Sequence, residues 1–152
     1  MVAMDTHTQT DALAPVAVDG VDPLHVLGEE FRPLVAGRAF EIIDGRGPEG
    51  TGPPPHHHPW DEAYVVLDGE LEVEIDGAVT RLPAGSAAHV PADALHRYTV
   101  VSPEARWITT TSPAGAVAFF TDVDASVAGP DDLPALVAAA RRNQVESPLF
   151  PR

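Results

Sequence analysis

Three histidines and one glutamate have types and a spacing that suit the binding of a single metal ion. His56 and His58 stand two residues apart, so on an extended chain their side chains point the same way, with Cα atoms about 6.6 Å apart. The side chain of His57 then points away from them. Glu62 follows four residues after His58, and His96 begins a later predicted strand. Three imidazoles and one carboxylate are a reasonable ligand set for a divalent first-row transition metal ion.

Strand parity indicates which neighbours share the interior with these residues. In the strand that Glu62 begins, Tyr64 lies in phase with it and therefore on the same interior face. In the strand that His96 begins, Tyr98 is the corresponding neighbour. Glu62 is thus the acid–base group that the sequence places inside the predicted fold.

The composition excludes several kinds of chemistry. The chain of 152 residues contains no Cys, and all nine of its basic residues are Arg. Lysine Schiff bases, thiolate nucleophiles, disulfides and thiolate-ligated clusters are therefore excluded, whereas a covalent route through Ser, Asp or Glu stays open. The formal net charge of −14 repels nucleic acids and anionic membranes, so we expect neither as a partner.

The elements that must position these residues are short strands joined by tight turns. Residues 62–68 form a near-continuous apolar run, typical of a strand covered on both faces, and the Asp68-Gly69 dipeptide suits a hairpin turn. Residues 70–75 alternate glutamates with apolar side chains, which indicates a half-buried strand with an acidic outer face. Further strands are predicted at residues 38–43, 78–82, 86–90, 96–101 and 106–111, with edge strands at 14–18 and 24–27.

Other segments are predicted not to be strands. Residues 44–55 are rich in Gly and Pro and carry neither a helix nor a strand signal. Residues 130–144 are predicted to form one helix, with Asp131 and Asp132 at its start and Arg141 and Arg142 in its last turn, as the helix dipole favours. Strands that recur about every ten residues indicate an antiparallel barrel or sandwich.

Two motifs in the sequence resemble those of the cupin superfamily. The first cupin motif is matched at every position and spacing by Gly50, His56, His58, Glu62 and Gly69. The second is matched by Gly85, Pro91 and His96, while Asp93 stands where the family has Gly and Val100 where it has Asn. Both departures lie at turn or structural positions rather than at the ligands. The resemblance covers roughly residues 38 to 112.

This resemblance implies an all-β fold, a single cupin or jelly-roll-like antiparallel β-barrel with a C-terminal α-helix. It implies one divalent transition metal ion per chain (Fe, Mn, Ni, Co or Zn) inside the barrel, with His56, His58, Glu62 and His96 as ligands. In some cupin dioxygenases the equivalent glutamate is also the catalytic base, a role that the resemblance permits for Glu62. We expect a flexible N-terminus at 1–12, the barrel domain at 13–125 and a helical tail at 126–152 packed on the barrel.

The tail of the chain looks like that of small single-domain bacterial cupins that resemble quercetin 2,3-dioxygenase. The expected substrate is therefore a flavonol-like or other enolic or aromatic small molecule. Each aromatic residue that we predict for the substrate pocket can alternatively be plain core packing; they are Phe40, Tyr64, Tyr98, Trp107, Phe119 and Phe120. Trp60 is expected near the pocket mouth.

Three functions stay open at this level. The first is a metal-dependent dioxygenase, the second is a non-redox isomerase, cyclase or lyase in which the ion polarises the substrate, and the third is a small-molecule or metal-binding module without turnover. The first residues have neither the basic nor the apolar region of a secretory signal, and Met4 is an alternative start to Met1. We expect a cytoplasmic protein and, from the cupin resemblance, a homodimer.

Overall fold

The computed structural model describes residues 15–152, and the predicted flexible N-terminus at 1–12 lies outside the described residues. Residue 14, the first of the edge strand predicted at 14–18, also lies outside the described residues. Residues 15–18 do not form a strand. In chain order, the described elements are a 3-10 helix at Val18–Gly20, β1 (Leu24–Val26), β2 (Glu29–Ala36), β3 (Glu41–Pro48), β4 (Asp61–Asp68), β5 (Glu70–Ile75), β6 (Ala78–Pro83), β7 (Ala87–Val90), β8 (His96–Val100), β9 (Glu104–Ser112), α1 (Ala116–Ser126) and α2 (Leu133–Arg142).

The strands form two antiparallel sheets that share one core. The larger sheet has the order β1-β2-β3-β9-β4-β7 and the smaller has the order β6-β5-β8. Tyr64 of β4 contacts Tyr98 of β8 across the core, with ring centroids 5.3 Å apart. Within residues 15–152 no ladder joins the two sheets into a closed cylinder. The all-β antiparallel fold predicted from the sequence is confirmed, as a barrel that is not strictly closed.

The alternation predicted for β5 is present in the structure. Leu71 and Val73 are fully buried, whereas Glu72 faces outward and forms an ion pair with Arg81 of β6 at 3.2 Å. Apolar side chains that alternate with charged ones therefore direct one face of this strand into the core, as the period of two requires.

The prediction of a loop from residue 44 onward was wrong, because β3 continues to Pro48. Its glycines allow close packing instead of breaking the strand. A Cβ on Gly45 would lie 2.7 Å from Cε2 of Trp107, and one on Gly47 would lie 2.6 Å from Oγ1 of Thr51. Glycine inside a strand often marks such a close approach. The strand also begins at Glu41, later than the predicted residue 38.

Two further predictions about strands require correction. β2 was not predicted at all, although it pairs with β3 along most of its length. The apolar run of β4 is covered on one face only, since Val65 and Leu67 are 40% and 45% exposed. Apolar β-branched residues such as Val65 fit a half-buried strand as well as a fully buried one, so the run alone does not prove burial on both faces.

The helix predicted at residues 130–144 is confirmed as α2. Its N-cap is Asp132, whose carboxylate accepts a hydrogen bond from the backbone N–H of Ala135 at 3.4 Å. Arg141 and Arg142 lie in its last turn, where they oppose the negative end of the helix dipole. Asp122 of α1 forms an ion pair with Arg142 at 2.8 Å, which connects the two helices.

The helix α1 was not predicted, because the group that caps it lies far away in the sequence. Its N-terminus has no side-chain cap from the local chain. Instead, Oε2 of the buried Glu41 accepts hydrogen bonds from the backbone N–H groups of Gly115, Ala116 and Val117 at 3.2, 3.0 and 3.3 Å. These are the N–H groups that a helix start leaves without partners. Neither helix in residues 15–152 has the length and apolar character needed to span a membrane.

Candidate metal centre

The segment before β4 holds two of the histidines in an extended conformation. His56 exchanges two backbone hydrogen bonds with His96, at 3.0 and 2.9 Å, and so lies directly beside the start of β8. His57 exchanges its backbone hydrogen bonds with Glu146 of the C-terminal tail, at 2.9 and 3.0 Å. Consecutive residues of this segment therefore bond in different directions, and the side chain of His57 contacts Glu146 rather than the other histidines.

Backbone carbonyls orient all three interior imidazoles. Nδ1 of His56 lies 2.9 Å from the carbonyl oxygen of Pro54, and Nδ1 of His58 lies 3.0 Å from that of Trp60. Nδ1 of His96 bonds in the same way at 2.8 Å to a backbone carbonyl two residues earlier. Because a carbonyl oxygen only accepts, each Nδ1 carries a proton, so Nε2 is the ring nitrogen that can bind a metal ion.

These nitrogens and the carboxylate of Glu62 converge on one region. One ring nitrogen from each of His56, His58 and His96 lies within 4.8 Å of the others. Oε2 of Glu62 lies 2.9 Å from Nε2 of His58 and 3.2 Å from Nε2 of His96. His58, Glu62 and His96 are buried, so little water is present to separate these groups.

The pKa values of these residues reflect the burial and the mutual contacts. Burial and the neighbouring His96 lower the pKa of His56 to about 3, so this ring is neutral near pH 7. Burial by itself lowers the pKa of His96 and raises that of Glu62, but hydrogen bonds reverse both shifts: the bond to Glu62 raises the pKa of His96, and the bonds to His58 and His96 lower that of Glu62. The net result is a raised pKa for His96 and a lowered one for Glu62, so the carboxylate is ionised.

The donor set therefore fits a metal cation. The rings, each held through Nδ1, direct Nε2 toward the ionised carboxylate of Glu62, and the raised pKa of His96 shows that positive charge beside this carboxylate is favourable. A divalent ion supplies that charge, and the carbonyls that hold Nδ1 are the outer partners that metal-binding histidines usually have. The three histidines can thus bind a metal ion, and no other such cluster of three ligand groups occurs among residues 15–152.

The site opens into a cavity with mostly apolar walls. His56, His58 and Glu62 line one part of it, while Glu29 and Tyr98 supply further polar groups. The apolar part of the wall comes from the larger sheet, the segment before β4, both helices and the C-terminal tail; it includes Phe31, Trp60, Tyr64, Phe119, Phe120, Leu136, Val145 and Phe150.

Four of the six predicted pocket residues lie in this wall, namely Tyr64, Tyr98, Phe119 and Phe120. Phe40 does not, since it is 47% exposed in the turn before β3, at a position predicted to be in a strand. Trp107 does not either, because it is fully buried and packs against Phe31 and the backbone of Gly45. The parity of an isolated aromatic residue does not distinguish the core from a cavity wall.

Trp60 lies deeper than the predicted pocket mouth. Its indole is 4% exposed and stacks on the imidazole of His58, with centroids 4.2 Å apart and an angle of 8° between the planes. A Cβ on Gly115 would lie within 2.3 Å of this indole, so the chain before α1 packs directly against it. Trp60 thus restricts the ring orientation of His58.

Several residues that line the cavity were not predicted from the sequence. Glu29 and Phe31 belong to β2, which was not predicted, and alternation of apolar side chains over 29–35 is the signal that was available. Val145 and Phe150 belong to the C-terminal tail. In this tail the Ser147 hydroxyl donates a hydrogen bond to the backbone carbonyl of Pro55 at 2.6 Å. No local pattern reveals that such a tail reaches the cavity.

One departure from the cupin motif now has a structural explanation. Asp93 has a positive φ of 64°, in the left-handed region that glycine adopts most easily. Asp is among the few other residues that tolerate this region. The turn that precedes His96 therefore keeps its backbone shape without the glycine.

An antiparallel β-barrel with a histidine cluster on its inner surface defines a class of small-molecule and metal-binding barrel proteins. Residues 45–111 match the family model described as "Cupin domain". The chain belongs to the cupin superfamily, as its two motifs predicted.

Two relatives are similar in sequence. Over 118 residues the chain is 37% identical to quercetin 2,3-dioxygenase of Bacillus subtilis (strain 168), a match that covers 73% of this chain and 35% of that protein. Over 60 residues it is 40% identical to the polyketide synthase CurC of Streptomyces cyaneus, covering 38% of this chain and 39% of that protein. The matches thus span little more than a third of the length of either relative.

Solved structures support the fold. The structure of KdgF from Halomonas sp. matches with a TM-score of 0.62 and 24% identity, over 66% of this chain and 94% of that chain. The polyketide cyclase RemF from Streptomyces resistomycificus matches with a TM-score of 0.60 and 18% identity, over 66% of this chain and 79% of that chain. At these identities the likeness concerns the fold alone.

Proposed function

We propose that this protein is a metal-dependent cupin enzyme, a dioxygenase that acts on a flavonol-like or other enolic or aromatic small molecule. The observation that carries this proposal is the convergence of three imidazole Nε2 atoms and the Glu62 carboxylate at the wall of an aromatic-lined cavity. The similarity to quercetin 2,3-dioxygenase supports the reaction class.

The proposed cofactor is one divalent transition metal ion per chain, either Fe, Mn, Ni, Co or Zn. His56, His58 and His96 would bind it through Nε2, and Glu62 would bind it through its carboxylate. When bound, such an ion supplies Lewis acidity and, for the redox-capable metals, electron transfer between an organic substrate and dioxygen.

The protein itself binds and orients the substrate. The aromatic wall, including Tyr64 and Phe120, takes up a flat apolar ligand and excludes water from its enolic edge. Glu62 is the proposed base, which accepts the proton of a substrate hydroxyl at its carboxylate oxygen. The rigid stacking of Trp60 on His58 keeps the ligand-binding edge of the ring directed at the same point.

A second candidate is a non-redox cupin that catalyses a cyclisation, isomerisation or elimination, with the ion acting only to polarise the substrate. The similarity to the polyketide synthase CurC favours it. The two candidates share the site and differ in their need for dioxygen.

Metal analysis and oxygen uptake together test these proposals. Protein purified without an affinity tag or added metal is analysed for its elements, and an oxygen electrode then records uptake with a panel of flavonols and enols. About one redox-capable ion per chain with substrate-dependent uptake supports the dioxygenase. Turnover without oxygen supports the second candidate. Ligand binding without any turnover would contradict both and indicate a binding module.

We propose that the protein is a cytoplasmic homodimer. We further propose that it binds a small-molecule substrate and neither nucleic acid nor membrane. Light scattering after size-exclusion chromatography measures the mass in solution, and a monomer mass would contradict the homodimer.

A further inference from the structure

The cavity contains a second carboxyl group that neither the metal site nor the proposed reaction uses. Glu29 of β2 is 3% exposed and lines the same cavity as the histidines. The hydroxyl of Tyr98 lies 2.9 Å from Oε1 and 3.1 Å from Oε2 of Glu29, so it donates to this carboxyl group. Among residues 15–152 no Arg or His forms an ion pair with Glu29, although buried carboxyl groups are usually paired.

Glu29 lies at a different level of the barrel from Glu62. In the larger sheet, Glu62 pairs with Thr111 at one end of β9. Gly47, against which the side chain of Glu29 packs, pairs with Ala105 at the other end of the same strand. The two carboxyl groups therefore approach the cavity from opposite ends of β9.

The two tyrosines lie between these levels. Tyr64 and Tyr98 stand two residues beyond Glu62 and His96 on their strands, a step of about 6.6 Å along each strand. The hydroxyl of Tyr98 donates a hydrogen bond to Glu29, so polar groups continue from the level of the histidines to this carboxyl group. A ligand that occupies the aromatic part of the cavity thus has polar groups at two separate ends.

We propose that Glu29 and Tyr98 form a second polar subsite, which binds a hydroxyl or carbonyl oxygen of the substrate at the end remote from the three histidines. The substrate class is then a flat phenolic molecule with oxygen substituents at two opposite ends, as in hydroxylated flavonoids and aromatic polyketides. This inference rests on the proposed function for the orientation of the ligand, whose enolic edge faces the histidines.

The chemistry of the pair suits such an oxygen. Burial raises the pKa of Glu29 to about 8, against the opposing hydrogen bonds of Tyr98 and Thr51, so the carboxyl is largely protonated near pH 7. A neutral carboxyl keeps one O–H donor for the ligand, and the Tyr98 hydroxyl, whose proton goes to Glu29, keeps its oxygen as an acceptor. Neither group exerts the repulsion that an anion would exert on a carbonyl oxygen. The pair therefore accommodates either a hydroxyl or a carbonyl oxygen.

The test compares two probes, only one of which carries hydroxyls remote from the enolic edge, and reads the effect of each variant on each probe relative to the wild type. Quercetin carries hydroxyls on both ring systems, whereas 3-hydroxyflavone keeps the same enolic edge and lacks the others. Their dissociation constants are measured with the metal-loaded protein without oxygen, by quenching of Trp fluorescence. The variants are Glu29→Leu, Glu29→Gln and Tyr98→Phe. Glu41→Gln is the control, because Glu41 is also a buried carboxylate but does not line the cavity.

We expect Glu29→Leu to weaken quercetin binding by roughly tenfold, as for the loss of one buried hydrogen bond with an unpaired partner, and to change 3-hydroxyflavone binding by less than about twofold. Glu29→Gln and Tyr98→Phe should give smaller losses, again for quercetin only. An equal loss for both probes, no loss for either, or no binding of either probe to the wild type would overturn the subsite. If Glu29→Leu weakened the binding of quercetin only, while the wild type showed no substrate-dependent oxygen uptake, the dioxygenase would be contradicted and the subsite would be supported.

Discussion

The Nε2 atom of His58 lies 2.9 Å from Oε2 of Glu62, while Nδ1 of the same ring bonds to a backbone carbonyl at 3.0 Å. With a proton on Nδ1, the ring directs Nε2 at the negatively charged oxygen of Glu62. The contact is favourable when Nε2 carries a proton that it donates to the carboxylate, or when both atoms bind the same cation. The metal site is inferred from this contact together with the clustering of His58 with His56 and His96.

Replacing Glu62 by Gln keeps the side-chain shape and removes its charge. We expect the metal content at limiting metal to fall by roughly tenfold or more, because a charged ligand becomes a neutral one. Elemental analysis measures the loss, and circular dichroism checks the fold. Glu72→Gln is the matched control on the outward face of β5, and its metal content should equal that of the wild type. Full metal occupancy in the Glu62→Gln variant would contradict the assignment of Glu62 as a metal ligand.

Replacing His57 by Ala should leave the metal content close to that of the wild type. The side chain of His57 faces Glu146, with Nε2 3.5 Å from its carboxylate, and not the cluster. His56→Ala is the matched comparison at the neighbouring position, and it should lose most of the metal. If both variants lost metal alike, the direction assigned to His57 would be incorrect. Elemental analysis of the two purified variants decides the matter.

Replacing Glu41 by Ala should destabilise the protein by about 3 kcal/mol, because it removes the acceptor of three backbone N–H groups at the start of α1. Urea denaturation followed by far-UV circular dichroism measures the change. Glu30→Ala on β2 is the control, since its partner Arg32 forms a partly exposed pair, and it should change stability by less than about 1 kcal/mol. Similar stabilities for the two variants would contradict the capping role.

Replacing Gly45 by Ala should destabilise the protein by about 2 kcal/mol, because the added methyl group would meet the Trp107 indole at 2.7 Å. Gly129→Ala is the control, since nothing lies within 4 Å of its added Cβ. Its effect should stay within about 0.5 kcal/mol. Thermal or urea unfolding compares the two, and an unaffected Gly45 variant would show that this glycine is not needed for packing.

Replacing Glu29 by Gln should change how stability depends on pH. Burial raises the pKa of Glu29 from 4.5 to about 8, so between these values the folded chain binds more protons than the unfolded one. The wild type therefore loses stability as pH rises through this window, by up to about 1.4 kcal/mol per pH unit for this group. The amide does not titrate, so the free energy of unfolding of the variant, relative to that of the wild type, should increase as the pH rises.

Urea denaturation at several pH values between about 5 and 8 measures this difference. The titratable tyrosines beside Glu29 do not obscure this difference, since burial holds the pKa values of Tyr64 and Tyr98 well above their usual range and both stay neutral between about pH 5 and 8. Parallel pH profiles of wild type and variant would show that Glu29 titrates normally and would contradict the raised pKa.

Local sequence patterns predicted the antiparallel fold and most of its strands. Alternation in 70–75 placed Leu71 and Val73 in the core, and the period of two also separated His57 from His56 and His58. These features depend on neighbouring residues only, because strand parity and turn chemistry act over a few positions. The two motifs added the superfamily, which the comparisons confirm.

The cavity and its closure were decided by tertiary structure. Glu41 caps α1 from a position 75 residues away, Gly45 allows the close packing of Trp107, and Phe150 reaches the cavity from the tail. The sequence of 44–48 did not reveal that β3, predicted at 38–43, continues to Pro48, because Gly45 is explained only by a side chain from another strand. The sequence by itself determined the type and parity of the metal-binding groups. Only the folded chain decided what surrounds them, because contacts between distant segments leave no local pattern.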